Sequence, residues 1–342
     1  MSNKENIISL KQIKESIPDE CFKKRPLLGF YYIIRDFVFI FSAYTAFQYS
    51  PQTLVYKLLY WNVSGLFMWS LFVDGHDCGH QSFSDSYLLN TIVGHICHTP
   101  LLVPYSTWAD SHHLHHLHHN HVKNDYSHVW VPEHYKNKKS IQTKILSKSG
   151  LMPFLGFFLY LSGIVDGGHW LPFGGRLWKN NTIFNFIHSC ISSGFVGTFL
   201  YYVLKSCNYN FQTFMIYYGY SWFIFSFWLV TTTYLQHHDD TLEDTIVYGD
   251  NSWNFVKGAL QTVDRSYGVV IDNLTHNITD CHLIHHLFFK TIPHYHLKKA
   301  TKHLYAYLDK NNIPYKRRKT HDFVYKIFYL TYQHLNEAVL VK

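Results

Sequence analysis

Acidic side chains are scarce in this sequence: 23 Asp and Glu stand against 26 His in 342 residues. No glutamate falls inside any of the three densest histidine clusters. Cysteine is scarce as well. Six in a chain of this length make no disulfide framework, which excludes a small stapled secreted domain. With 15% charged and 18% aromatic residues, the composition is far from that of a disordered chain. No flavin or nicotinamide fingerprint appears, and no internal repeat. The net charge of +7 is concentrated near the two ends, and no basic motif with interleaved aromatics reads as a nucleic-acid module. The first 28 residues are polar and mixed in charge, so no cleavable secretory signal is expected.

Charge is missing altogether from two long intervals, Lys179 to Lys205 and Lys205 to Asp239. Each exceeds the roughly 20 residues needed to cross a bilayer core. The second carries Tyr218, Trp222, Phe223, Phe225, Phe227 and Trp228 with no polar face. Spans are therefore expected at about 183–204 and 212–235. A second pair is expected upstream at about 29–48 and 54–73. It is interrupted only by Arg35–Asp36 and by Lys57, which can snorkel. Tyr87–Tyr105, with His95, His98, Pro100 and Pro104, and Ser149–Val165, with Pro153, are expected to be interfacial or re-entrant. The mean hydropathy of −0.12 then averages a membrane half with a histidine-rich half.

Four crossings as two hairpins return both termini to one face, and the Lys/Arg-rich ends place that face in the cytosol. The expected fold is all-α: an integral membrane protein with four transmembrane helices and a cytosolic helical cap. Residues 1–28 form a cytosolic N-terminal segment and residues 306–342 a cytosolic tail. Residues 29–305 form the main domain, its cap comprising 74–182 and 236–305.

Three clusters carry the chemistry. His76-Asp-Cys-Gly-His80 places two imidazoles on one helical face. His112, His115 and His116, and again His282, His285 and His286, place three on adjacent turns. An alternative register of the second cluster, His115, His118 and His119, satisfies the same spacing. Eight imidazoles suit two metals rather than one, and imidazole suits iron, zinc and copper. A zincin helix would carry Glu beside its first His, where this chain has Asp77 and Cys78. Soluble di-iron bundles need Glu, which the clusters lack. An all-histidine dinuclear iron site is the expectation, its ligands neutral imidazoles that acid would displace.

The three clusters resemble the histidine boxes of membrane fatty acid desaturases. The resemblance extends through Leu101–Tyr105, Trp108, Thr262–Arg265, Tyr267–Gly268, His285–Phe288 and Ile292–Leu297, roughly residues 30–305. Its form is that of the methyl-end branch, containing Δ12 (omega-6) and omega-3 enzymes. The front-end branch usually has Gln where His282 stands and a fused haem motif that is missing here. Counted from Tyr105 and Trp108, the resemblance selects His112, His115 and His116. It implies a ninth ligand, His237, with His238 as competitor. It also brings in His98 and His276, for which, with Asp280, a supporting role around the ligands is expected.

The resemblance further implies two non-haem irons, O2 as co-substrate and electrons from external cytochrome b5 and its reductase. The substrate would be a fatty acyl chain on phospholipid or CoA, and the location the endoplasmic reticulum membrane. Trp69, Phe72, Trp222, Phe227 and Thr231 are candidate walls of an acyl tunnel. A hydroxylase, acetylenase or conjugase would share all three boxes. The His276-Asn-Ile-Thr-Asp280 pattern also occurs in a zinc-transporter family, but that family needs about eight crossings. His128, His134, His169, His188, His294, His296, His303, His321 and His334 have no spacing that demands metal.

Overall fold

The computed structural model describes residues 9–126, 148–163, 168–171, 182–241, 243–336 and 340–342. Thus His128, His134, Asn180 and part of the expected cap lie outside the described residues, as does the side chain of His334. The described chain is mainly helical. A short α1 (Leu10–Glu15) precedes α2 (Pro26–Gln48), which begins with proline where a missing N–H costs nothing. Then follow α3 (Leu54–Gly79), α4 (Tyr87–His98), α5 (Tyr105–His118), α6 (Met152–Ser162) and α7 (Ile183–Ser206). Next comes α8, running from Phe211 to His237 with one π turn at Met215–Gly219. Short pieces follow: β1 (Ile246–Val247), α9 (Phe255–Ala259), β2 (Val263–Ser266), α10 (Val269–Leu274) and α11 (His282–Phe288). The chain ends with α12 (His294–Lys310), β3 (Lys316–Lys319), α13 (Phe323–Asn336) and β4 (Leu340–Val341). The strands form two small parallel pairs, β1 with β4 and β2 with β3.

Three of these helices, Pro26–Gln48, Ile183–Ser206 and Phe211–His237, are long and apolar enough to cross a membrane. The expected second span lies in α3. With 26 residues it is long enough, but its content of Lys57, Asp74, Asp77 and small polar residues keeps it out of that class. It is instead the central helix, packed on α2, α4, α5 and α8. Its surroundings explain why it tolerates polarity: most of it from Ser64 onward is buried by protein. By contrast, α2 exposes Leu27, Tyr31, Ile34, Val38 and Phe41, and α7 exposes Ile183, Phe184, Ile187, Ile191 and Phe195. Apolar faces of that extent mark a lipid or partner surface. The two ambiguous stretches form α4 and α6, of 12 and 11 residues, too short to span.

Close packing of α3 on α8 depends on Gly65. A Cβ there would lie 2.5 Å from Ile224 Cβ and 2.8 Å from the Ser221 carbonyl oxygen. Small residues of this kind let helix backbones approach in a bilayer. The π turn in α8 leaves carbonyls without their usual helical donors. Trp61 Nε1–H donates to Ile216 O at 2.8 Å and Tyr60 Oη–H to Tyr217 O at 2.6 Å, so α3 repairs what the turn breaks. The result is a rigid pair whose other ends carry His76, His80 and His237.

Candidate metal centre

Each histidine box sits on the end of a helix fixed by other contacts. The His76/His80 pair occupies the last turn of α3. The second box lies in α5, ordered by buried Tyr105 and Trp108. The third is α11 itself, whose first turn is capped by Asp264: Leu283 N–H donates to Asp264 Oδ1 at 2.8 Å. Tyr305 Oη–H holds the other carboxylate oxygen at 2.5 Å, and burial pushes the Asp264 pKa up to about 7. His237 ends α8.

These four ends converge. Ligand nitrogens of His76, His80, His112, His116 and His285 all lie within 4.8 Å of one another, and so do those of His115, His237 and His286. His282 joins the second group, its Nε2 being 2.9 Å from that of His286 and 3.1 Å from that of His237. The nine expected ligands therefore form a group of five and a group of four. Further Nε2–Nε2 separations are 3.2 Å for His76–His80, 3.1 Å for His112–His116, 3.2 Å for His116–His285 and 3.2 Å for His115–His237. Spacing of about 3 Å is what adjacent ligands show around an ion held at about 2.1 Å. Hydrogen bonds among neutral imidazoles do not explain the pattern, since each ring has a single N–H to give. Burial, then neighbouring imidazoles, push the His80, His112, His116 and His286 pKa values well down, and that of His285 to about 3. Neutral rings with lone pairs aimed at shared points fit metal ions.

The supporting contacts differ from the expected ones. His98 stacks on Phe72 (4.7 Å between centroids) and lies 3.3 Å from Phe72 O; it reaches the ligands only through Trp108, which stacks on His112. His238 stacks on Tyr234, with Nδ1 3.0 Å from Tyr234 O. Asp280 pairs with Lys298. His276 lies 2.9 Å from Asp36. Direct polar contacts to ligands include those of Asp125, whose Oδ1 is 2.7 Å from His115 Nδ1, and Asn120, whose Oδ1 is 3.4 Å from His237 Nδ1. Asp125 Oδ2 also accepts the Asn120 N–H at 2.9 Å, locking the pair together. Sequence reasoning missed both residues, although an Asp ten positions after a ligand His was the available signal.

In the second box, His119 is turned away: its ring nitrogens lie 2.8 and 3.1 Å from the carbonyls of His116 and Phe255. His118 is half-exposed and His121 pairs with Asp250. The geometry thus gathers the 112/115/116 register.

Of the candidate tunnel walls, Trp69, Phe72 and Thr231 are buried within two helical turns of ligands on their own helices. Phe72 is packed between Trp69, His98, Trp108, Phe157 and Phe225. Phe227 belongs to a separate apolar cluster with Phe154 and α13. Trp222 lines a cavity of 570 Å³ bounded also by Leu102, Phe158, Trp170, Val196 and Phe223. A second cavity of 550 Å³ lies between α2, α3 and the start of α8. Phe223 is about 21 Å from His237 along the helix at about 1.5 Å per residue. The first cavity therefore sits toward the end of the bundle away from His237, whereas the second also reaches Met68 and Leu71, the latter five residues before His76 on α3.

Comparison with known proteins agrees with this arrangement. The family model described as fatty acid desaturase matches residues 53–319. The chain is 36% identical over 333 residues to the Delta(12) fatty acid desaturase fat-2 of Caenorhabditis elegans, covering 95% of this chain and 86% of the relative. It is 39% identical over 297 residues to an endoplasmic reticulum omega-3 fatty acid desaturase of Nicotiana tabacum, covering 86% and 76%. Over 294 residues it is 38% identical to the acyl-lipid omega-3 desaturase (cytochrome b5), endoplasmic reticulum, of Arabidopsis thaliana, covering 85% and 74%.

Proposed function

We infer the reaction from a chain that belongs to the fatty acid desaturase family, an oxidoreductase acting on fatty acyl chains. The finer reading is a methyl-end enzyme that inserts a cis double bond at the Δ12 or omega-3 position of a membrane-associated chain. The observation that carries it is the convergence of nine imidazoles, eight buried and His112 half-buried, at the end of the apolar helices.

The five-histidine group (His76, His80, His112, His116, His285) would hold one iron and the four-histidine group (His115, His237, His282, His286) the other. Iron bound there supplies the O2-dependent oxidising power that an unactivated methylene C–H bond requires and no side-chain acid or base provides. The protein's own part is positional. Asp125 takes the Nδ1–H of His115 and so presents Nε2 as the ligand atom. Trp108 stacked on His112 keeps that ring from rotating. Burial keeps His80, His112, His116, His285 and His286 neutral and limits the access of bulk water to the site. The apolar cavities along α8 suit hydrocarbon, and their size falls within the range of about 300–1,000 Å³ of ligand pockets.

We further propose that α3 is the fourth crossing, pairing with α2 as α7 pairs with α8, so that both termini and the histidine cap face the cytosol. Residues 29–305 would form the catalytic domain, with cytosolic segments 1–28 and 306–342. The relatives' names support an endoplasmic reticulum location and cytochrome b5 as electron donor. Expression in yeast supplied with defined fatty acids, followed by location of double bonds in the products, tests the assignment. New dienes or trienes are expected. Hydroxylated or acetylenic products would replace it with a related acyl-chain oxidation, and an unaltered lipid profile with iron-loaded protein would refute it.

A further inference from the structure

A second, separate set of metal-binding groups lies beside the nine imidazoles. Asp74, His276 and His294 bring one ligand atom each within 4.8 Å of one another. They come from α3, the turn after α10 and the start of α12. Asp36 of α2 joins them, its Oδ2 2.9 Å from His276 Nε2. All four are sealed from solvent: Asp36 is 0% exposed, Asp74 1%, His276 2% and His294 2%.

Three features point to a ligand. First, His294 is set up as a metal-binding histidine. Its Nδ1–H donates to Asp77 Oδ2 at 3.0 Å, with the His294 backbone N–H on the same oxygen at 2.8 Å. That fixes the tautomer and leaves Nε2 as a lone pair, the carboxylate–histidine arrangement seen behind metal ligands. Second, this Nε2 has no hydrogen-bond partner and lies 3.8 Å from Asp74 Oδ1. No N–H or hydroxyl donor reaches either oxygen of Asp74, whose carboxyl lies at hydrogen-bond distance from that of Asp36, and His276 Nε2 is 3.7 Å from Oδ2. A lone pair and a carboxylate facing each other in a dry site repel unless a cation or a proton lies between them. Third, three buried carboxylates (Asp36, Asp74, Asp77) crowd one guanidinium, Arg35, which is 2.7 Å from Asp36 Oδ1 and 3.3 Å from His276 Nε2. Buried carboxylates are normally paired, protonated or bound to metal.

We propose that Asp36, Asp74, His276 and His294 form a structural zinc site. Two imidazoles and two carboxylates make a closed four-coordinate set. Calcium and magnesium prefer all-oxygen ligands, and catalytic iron with two His and one carboxylate needs open positions that this buried site lacks. Tetrahedral ligands at about 2.0–2.1 Å stand about 3.3 Å apart, so the 3.7 and 3.8 Å separations close by a small side-chain adjustment. The ion would tie α2 and α3 to α12 and to the segment entering α11, and so fix the third histidine box relative to the first. His276 and His294 pack against Tyr32 and each other, and Asp77, 3.0 Å from His294 Nδ1 and 3.9 Å from His76 Nδ1, stands between this cluster and the first histidine box.

The test is metal analysis of the full-length protein purified in detergent from zinc- and iron-replete cells. About one zinc per chain is expected beside the iron, with an X-ray absorption first shell of nitrogen and oxygen only, imidazole included. His276→Gln and Asp74→Asn should each lose the zinc and keep the iron, whereas His282→Ala should keep the zinc and lose iron. Wild-type protein with its iron but less than a tenth of a zinc per chain would overturn the proposal, leaving a proton shared between Asp36 and Asp74 as the occupant of the site. Zinc lost from His282→Ala but retained in His276→Gln would place it among the nine imidazoles and overturn the proposal equally. An additional iron in place of zinc would overturn the choice of metal. Absence of iron in a zinc-loaded wild type would count against the di-iron reading alone. The wild-type measurement stands even if a variant does not fold.

Discussion

Replacing Asp125 by alanine removes the acceptor that orients His115 and the acceptor of the Asn120 N–H at once. The first contact, 2.7 Å between Asp125 Oδ1 and His115 Nδ1, is a charge-assisted hydrogen bond worth about 1.5–3 kcal/mol. The second, at 2.9 Å, leaves a buried N–H unsatisfied at a cost of about 1–3 kcal/mol. Partners of this type change metal affinity by about 10–100-fold. Because His115 belongs to the four-imidazole group, only one of the two irons should weaken. The assay is iron retained per chain at a series of free ferrous concentrations set by a chelator. Wild type is expected to titrate in one tight range, and Asp125→Ala to split, with one iron shifted by about 10–100-fold. Asp125→Asn keeps an acceptor for one of the two donors and should fall between. An alanine variant that melts normally and retains both irons at wild-type affinity would refute the reasoning.

Gly65→Val should force α3 from α8, because the Ser221 carbonyl only 2.8 Å from the new Cβ is backbone and cannot turn aside. A loss of about 1–3 kcal/mol or more is expected in detergent unfolding, and an unchanged midpoint would contradict it. Arg265 is fully buried and donates to Leu235 O, His238 O, Asp240 and Thr320, closing the end of the helix that carries His237. Arg265→Met should cost about 3–5 kcal/mol and lower iron content, read by melting and metal analysis, whereas Arg265→Met with normal melting and iron would remove that role. His169, held between Ser111 Oγ and Tyr160 O, has its pKa lowered by burial to about 4. Its folded form binds fewer protons than the unfolded chain, so its contribution is intact above about pH 6.5 and falls as the pH drops toward 4, by about 2 kcal/mol at pH 5. His169→Asn should show a shallower acid loss of stability than wild type; identical slopes would exclude the effect.

What the sequence made legible was what repeats at short range. The i, i+3 and i+4 spacing put His282, His285 and His286 on one face, and the charge-free intervals marked α7 and α8. What it hid depends on the third dimension. Asp125 looks like any loop carboxylate until the turn after α5 swings it back onto His115. His294 has no spacing to another ligand, and its partners Asp36, Asp74 and His276 are distant in sequence. The polarity of α3 hid its central place, because burial by neighbouring helices replaces the lipid-facing apolar surface that hydropathy detects. The tunnel expectation drew on aromatics near the ligands in sequence, and most of these are packed core; one cavity lies farther along α8 and the other runs between helices up to Leu71 of α3.

The central claim is that the nine converging imidazoles hold two irons, and counting iron per chain in purified protein tests it most directly. About two irons per chain are expected in wild type, falling to about one in His237→Ala, which opens only the four-histidine group. A full complement of one iron or none in active protein, or an iron count unmoved by the loss of His237, would contradict it.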